Sequence, residues 1–424
     1  MTRLRSRLAR PALLAVLALA LASAAVSTVA DAEATANGVE ARKPARFTAK
    51  LPAPTGPYAV GTVAWSLDGA GRPDPWQAGS DRDLAVQLWY PAEAAGRPAP
   101  WAHQNVARHA AQRYGFAPES LTRVRAHATE AAPVRAGAGR LPVLVFSPGD
   151  GGNRTDSTAL TEDLASHGYL VVAVDHLGDA IEGSLPDGEL VARTKPELPD
   201  DIEPEDLTGP AVVEQVAVRV GDVRAVVAAL GRVDGLDQSA DAGATAQRIG
   251  VAGNVPDGLP GRIDLDRLGI LGHSLGGATA AGAMDADDRF RAGVNLDGLV
   301  AGPVAGKGLD RPFLVVRQPQ HTTEIDPSWR TFLPALRGWH RLVTVAGAGH
   351  YSFADLGLWA RPAGVDRRTS EKTFRFNFGA GDNVRATELT RSLLVAFFDA
   401  HLLGHPVPPL LDGPTPQNPE LTFD

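Results

Sequence analysis

A chain of 424 residues with 44% apolar and 21% charged residues can bury a full core, and its composition is that of a folded protein rather than a disordered one. A net charge of −8 with no block of Lys or Arg after the first ten residues argues against a nucleic-acid partner. The absence of cysteine excludes disulfides, a thiolate metal site, a lipid-modified Cys and a cysteine nucleophile.

Arg3, Arg5, Arg7 and Arg10 precede an apolar stretch from Pro11 to about Val29, with small-residue cleavage candidates at Ala22-Ser23-Ala24 and Ala30-Asp31-Ala32. This layout predicts a secretory signal over residues 1–32 and an extracellular protein. The alternative is an uncleaved membrane anchor, but the Ala-rich stretch and its A-x-A sites favour cleavage, after which no stable membrane insertion is expected. Residues 33–57 lack apolar periodicity and read as a flexible leader. One large domain is then expected over residues 58–405, followed by a tail at 406–424.

Tyr58–Trp65 and Leu84–Tyr90 have strand composition and are separated by Gly, Pro and Asp, as antiparallel edge strands would be. Val143–Phe146, Tyr169–Val174, Leu268–Leu271 and Ala292–Leu296 are short apolar runs suited to burial on both faces of a sheet. Between them lie helical patterns at Ser157–His167, Val212–Leu230 and the small-residue run Gly276–Met284. Strands at Phe313–Val316 and Leu342–Val345 and a closing helix near Leu389–Leu403 continue the alternation. Strand and helix in turn predict an α/β fold, a mostly parallel doubly wound sheet with helices on both faces. Three insertions, at residues 101–138, 176–210 and 234–262, read as cover over a site, although the Asp/Gly-rich third fits a plain surface loop equally well.

Gly272-His273-Ser274-Leu275-Gly276-Gly277 is a G-x-S-x-G match directly after a predicted strand and before a predicted helix. Such a sharp turn holds a serine hydroxyl out above the sheet, over a helix N-terminus that favours developing negative charge. A serine needs a base, and His350 in Gly347-Ala348-Gly349-His350-Tyr351-Ser352-Phe353 follows a late strand, downstream of the serine. His321, His340, His401 and His405 read instead as surface or packing residues, and His273 as a neighbour of the nucleophile. For the acid that orients the imidazole, Asp297 competes with Glu324 and Asp326 after the next strand. Oxyanion donors are expected from the backbone amides of Leu275 and Asp150, the latter in the glycine-rich loop Ser147–Gly152. No G-x-x-x-x-G-K-[ST] pattern accompanies that loop, so nucleotide binding is not expected.

These residues together resemble the platelet-activating factor acetylhydrolase family of α/β-hydrolases, with its bacterial lipase-like members. The likeness runs in order through Gly56-Pro57-Tyr58-Ala59-Val60-Gly61, Leu88-Trp89-Tyr90-Pro91, Val124-Arg125-Ala126-His127-Ala128, Phe146–Gly152, Asp163–Tyr169, the Ser274 turn, Leu296-Asp297 and the His350 loop. The resemblance implies the α/β-hydrolase fold with cap-like insertions, Asp297 as the acid, and hydrolysis of small or lipid-derived acyl esters with no cofactor and no metal. Pro148 and Asp150 stand where the family usually carries a histidine and an apolar residue, which bears on substrate contacts rather than on the backbone donor. A peptidase or amidase on the same fold, or an inactive binding protein, are the rival readings. The insertions contain no long apolar amphipathic helix, so water-soluble short-chain esters are expected to be preferred, and an ionised Asp150 is expected to disfavour acyl chains ending in a carboxylate.

Overall fold

The computed structural model describes residues 47–93, 96–197, 207–236 and 242–424, so the predicted signal lies outside the described residues. In chain order its elements are β1 (Val60–Leu67), β2 (Leu84–Pro91), β3 (Pro98–Pro100), α1 (Gln104–Arg113), β4 (Arg125–Glu130), β5 (Leu141–Ser147), α2 (Thr158–Ser166) and β6 (Leu170–Asp175). They continue with α3 (Pro210–Asp234), α4 (Ala242–Arg248), β7 (Val251–Ala252), β8 (Ile263–His273), α5 (Leu275–Ala286), β9 (Phe290–Leu296), α6 (Val304–Lys307) and β10 (Phe313–Arg317). The last are α7 (Ser328–Ala335), β11 (His340–Val345), α8 (Asp355–Ala360), α9 (Glu371–Phe378), α10 (Asn383–Leu402) and β12 (Leu421–Phe423).

The strands form one twisted sheet in the order β12-β11-β10-β9-β8-β5-β6-β2-β1-β4-β3, with β7 beside β1. From β6 through β5, β8, β9 and β10 to β11 every pairing is parallel. The period-2 alternation of each buried strand splits its side chains between two cores. Val143 and Val145 of β5 join the cluster that contains Val223 and Val227 of α3 and Ala281 and Met284 of α5. Leu144 and Phe146 join Leu160 of α2 and Leu393 and Phe397 of α10 on the other face. Helices therefore cover both faces, as the alternation of strand and helix requires.

Three expectations are corrected. β1 and β2 are not edge strands, because β4, from within the first insertion, pairs parallel to β1 and β3 lies beyond it. Residues 47–57 are not a loose leader: Ala49 and Leu51 are buried in a third cluster with Trp101, Tyr114, Trp359 and Phe378. Residues 406–424 are not a tail, since Leu411 and Leu421 are buried and β12 pairs antiparallel with β11. The described part of 234–262, which read equally as cover or as a plain surface loop, lines none of the cleft described below. It lies at the start of β8, where β7 pairs with β1 and the amide of Val134 donates to Asp257.

Candidate active site

The parallel strands β5, β8, β9, β10 and β11 all end at one edge of the sheet, and the loops that leave them carry Asp150, Ser274, Asp297, His321 and His350. Ser274 sits between β8 and α5 with φ 57° and ψ −122°. A non-glycine residue in that region costs about 1–3 kcal/mol and persists only where its surroundings over-determine it. Here they do: the Ser274 amide donates to the Leu296 carbonyl at 2.9 Å. A side chain at Gly276 would overlap the Ser147 carbonyl, and one at Gly298 would overlap the carbonyl of Ser274 itself. Asp297, at the end of β9, also has positive φ (54°).

His350 follows β11 and directs Nδ1 at Asp297 Oδ2, 2.7 Å away, with both side chains buried. His273 fixes the backbone of the same residue. Burial, reinforced by the His350 ring 4.6 Å away, pushes the His273 imidazole down to about 3. It is therefore neutral, and its Nε2–H donates to the His350 carbonyl at 2.9 Å. Asp297 loses stability to burial, but the imidazoles of His321 and His350 outweigh that and hold its carboxyl well below the usual carboxylate range. Its remaining donors are the backbone amide and side-chain Nε2 of Gln318, at 2.9 and 3.0 Å.

The competing residues separate cleanly. Glu324 is exposed, and Asp326 bonds His321 rather than His350. His340 bonds the Gly338 carbonyl, His401 packs on Trp339, and His405 is exposed beside Asp399. His321 is neither a surface nor a simple packing residue. Its Nδ1 donates to Asp297 Oδ1 at 3.0 Å, a contact between residues 24 apart that no local pattern announces.

The loop after β5 is clamped from behind by Arg219 of α3, which is fully buried. Its guanidinium donates to the carbonyls of Pro148 (2.6 Å) and Gly149 (2.9 Å) and to Asp179 Oδ2 (2.7 Å). With those carbonyls held backward, the Asp150 amide lies on the stretch that faces Ser274: a side chain at Gly149 would stand 3.3 Å from Ser274 Cβ. Leu275 opens α5, where a backbone amide has no carbonyl one turn back to bind. The carboxylate of Asp150 is ion-paired with Lys195 and Arg193 of the second insertion. The uncompensated negative charge expected at the entrance is therefore offset.

A second serine, histidine and aspartate lie close by. With His176 Nδ1 2.9 Å from the Asp222 carboxylate, and burial lowering the imidazole to about 4, the ring is neutral with its proton on Nδ1. Ser147 then donates to His176 Nε2 at 2.9 Å. Arg82 locks Asp222 with a bidentate pair, and Ser147, His176 and Asp222 are all fully buried. This set is sealed in protein and anchors the start of the loop that carries Asp150.

Ser274 and His350 line one cleft. Its walls include Arg113 and Tyr114 of the first insertion, with Asp156, Tyr351 and Leu356. The second contributes Glu182, which pairs with Arg113 at 2.6 Å. Burial raises the Asp156 carboxyl to about 7 in spite of Arg113. Among the described residues, no group of three or more His, Asp or Glu side chains is arranged to hold a metal ion.

A mostly parallel sheet with helices on both faces and a G-x-S-x-G turn at the carboxyl end of a central strand define an α/β-hydrolase. Within that class the chain belongs to the family of platelet-activating factor acetylhydrolase, isoform II, whose pattern it matches over residues 45–405. It is 25% identical over 294 residues to the probable 1-alkyl-2-acetylglycerophosphocholine esterase of Arthroderma benhamiae, covering 67% of this chain and 66% of that one. It is also 25% identical over 281 residues to the platelet-activating factor acetylhydrolase of Canis lupus familiaris, covering 64% and 59%. The chain thus spans about two thirds or less of these relatives' length. A ferulic acid esterase from Streptomyces cinnamoneus superposes with a TM-score of 0.70 and 33% identity, over 88% of this chain and 99% of that structure.

Proposed function

We propose that the protein is a secreted serine esterase that hydrolyses carboxylic esters through Ser274, His350 and Asp297. The observation that carries the reading is the 2.7 Å bond from His350 Nδ1 to Asp297, made beside a strained Ser274 that lines the same cleft as His350. With Nδ1 engaged, Nε2 is the nitrogen left for the serine. Ser274 Oγ attacks the ester carbonyl carbon as its proton passes to Nε2, and the oxyanion is held by the amides of Leu275 and Asp150. Collapse expels the alcohol, which takes that proton, and leaves an acyl group on Ser274. Water then gives a proton to His350 while attacking the acyl carbon, and the acid leaves as Ser274 recovers its hydrogen. Asp297 keeps the imidazole in the productive tautomer and offsets its cation throughout.

The relatives whose names describe acetyl-ester hydrolysis, and the neighbour named for ferulic acid, support an ester with a short or compact acyl group. Secretion rests on the arginine-bearing apolar N-terminus. Among the described residues, no helix is long and apolar enough to cross a membrane.

A fluorophosphonate probe tests the assignment. It should label the wild-type protein and fail on Ser274→Ala, which retains the sealed Ser147, His176 and Asp222, and ester turnover should fall by about a thousandfold or more. Labelling that survives in Ser274→Ala would overturn the nucleophile. An unlabelled wild type would favour an inactive binding protein. Faster cleavage of an anilide than of the matching phenyl ester would favour an amidase.

A further inference from the structure

We propose that His321 is a positioning residue for the reaction: held between Asp326 and Asp297, it shares the Asp297 carboxylate with His350, turns one oxygen of that carboxylate toward the base, and offsets its charge. The inference rests on the assignment of His350 as base and Asp297 as its acid.

His321 is fully buried, and its Nδ1 lies 3.0 Å from Asp297 Oδ1 while its Nε2 lies 3.1 Å from Asp326 Oδ2. A carboxylate accepts and does not donate, so both ring nitrogens must carry hydrogen, and the ring is an imidazolium. Burial alone would push it down, but Asp297 and Asp326 outweigh burial and raise it to about 9. The ring stacks on Trp329 at 4.0 Å and 21°. The Trp329 indole in turn donates to the Gly298 carbonyl at 3.0 Å, next to Asp297. Asp326 is fixed because its other oxygen accepts the Ser328 amide at 2.9 Å, at the start of α7. A continuous row, Asp326, His321, Asp297 and His350, therefore runs from α7 to the base.

The row has an electrostatic consequence. A fixed cation on the far oxygen offsets part of the Asp297 charge that faces the base. The other groups facing the row do not supply this cation. His273 is neutral, and burial pushes the Tyr351 phenol well above its ordinary value, so it too is neutral. Arg317 donates to the His321 carbonyl at 3.0 Å and lies on the Trp329 side, with Asp424 as its ion partner. Arg113 is paired with Glu182, and Asp150 with Lys195.

The test is the pH profile of kcat/KM for His321→Gln, Asp326→Asn and His350→Ala beside wild type, with ¹⁵N chemical shifts of His321 in the wild-type protein. His321→Gln removes the cation, so the acid limb should move to higher pH by about half a unit or more. The plateau kcat should fall about tenfold as the carboxylate loses a donor. Asp326→Asn removes an anion, so its acid limb should move to lower pH. A merely structural role would lower stability in both variants without opposite shifts. The nitrogen shifts should be those of an imidazolium at pH 7. A neutral His321 at pH 7, or two folded variants with unmoved acid limbs, overturns the proposal. Should His321→Gln not fold, Asp326→Asn and the nitrogen shifts decide. An active His350→Ala would instead overturn the base assignment on which the inference rests.

Discussion

Arg219 does for the oxyanion loop what packing alone cannot. Two consecutive carbonyls, Pro148 and Gly149, point at one planar guanidinium, and Asp179 holds that guanidinium in place. The rigid fork of arginine meets three acceptors at fixed angles, and a lysine ammonium does not. Arg219→Lys is therefore expected to leave a folded protein in which the Asp150 amide is displaced. In the proposed mechanism that amide acts on the oxyanion and not on the bound ester, so kcat should fall about ten- to a hundredfold with KM little changed. Steady-state kinetics on a soluble ester check this, and a loss confined to KM would mean that the clamp serves binding instead.

At the scale of elements, the segment from Phe47 to Pro57 ties three parts of the chain together. Arg391 of α10, almost wholly buried, donates to the carbonyls of Pro52, Ala53 and Ala159 at 2.6–3.0 Å. The Trp359 indole donates to Lys50, and the Thr55 amide bonds Asp163 of α2. Removing the segment would leave Arg391 without two of its acceptors and uncover apolar surface around Leu51, a loss of about 2 kcal/mol or more. A chain starting at Tyr58 should melt roughly 2–3 °C or more below one starting at Phe47, by scanning calorimetry. Equal melting temperatures would show that these contacts contribute nothing.

For the whole molecule, the surface bears on substrate choice. Among the described residues, the exposed large hydrophobics are Leu190, Val384 and Val407, scattered and far too few for a lipid-binding face. The cleft is bounded by Arg113, Tyr114, Asp156 and Tyr351, a polar and aromatic wall that favours compact acyl groups over long aliphatic ones. Over an ester series from acetyl to palmitoyl, kcat/KM should fall with chain length, and an emulsion should give no activation. A rise toward palmitoyl, or activation at an interface, would overturn this reading of the wall.

How much of this was legible before folding follows from the range over which each signal acts. Strand and helix alternation, the turn around Ser274 and its helix are set by neighbours a few residues apart, because burial period and backbone strain are local properties. The sequence by itself therefore determined the α/β class, the parallel sheet and the family resemblance. Local pattern left Asp297 and Asp326 as rivals. The sheet separates them, since only the end of β9 reaches His350 while Asp326 meets His321. Likewise Arg219 reads as one more position on an apolar helix, and Ser147, His176 and Asp222 as unrelated residues, until β5, β6 and α3 bring them within 3 Å. The leader and tail misled because their few apolar residues show no period: the leader is ordered by donors such as Arg391, 338 residues from Ala53, and the tail by the pairing of β12 with β11. Only tertiary structure decided these points, because a buried polar group is satisfied by whichever partner the fold brings near, and sequence distance carries no record of that.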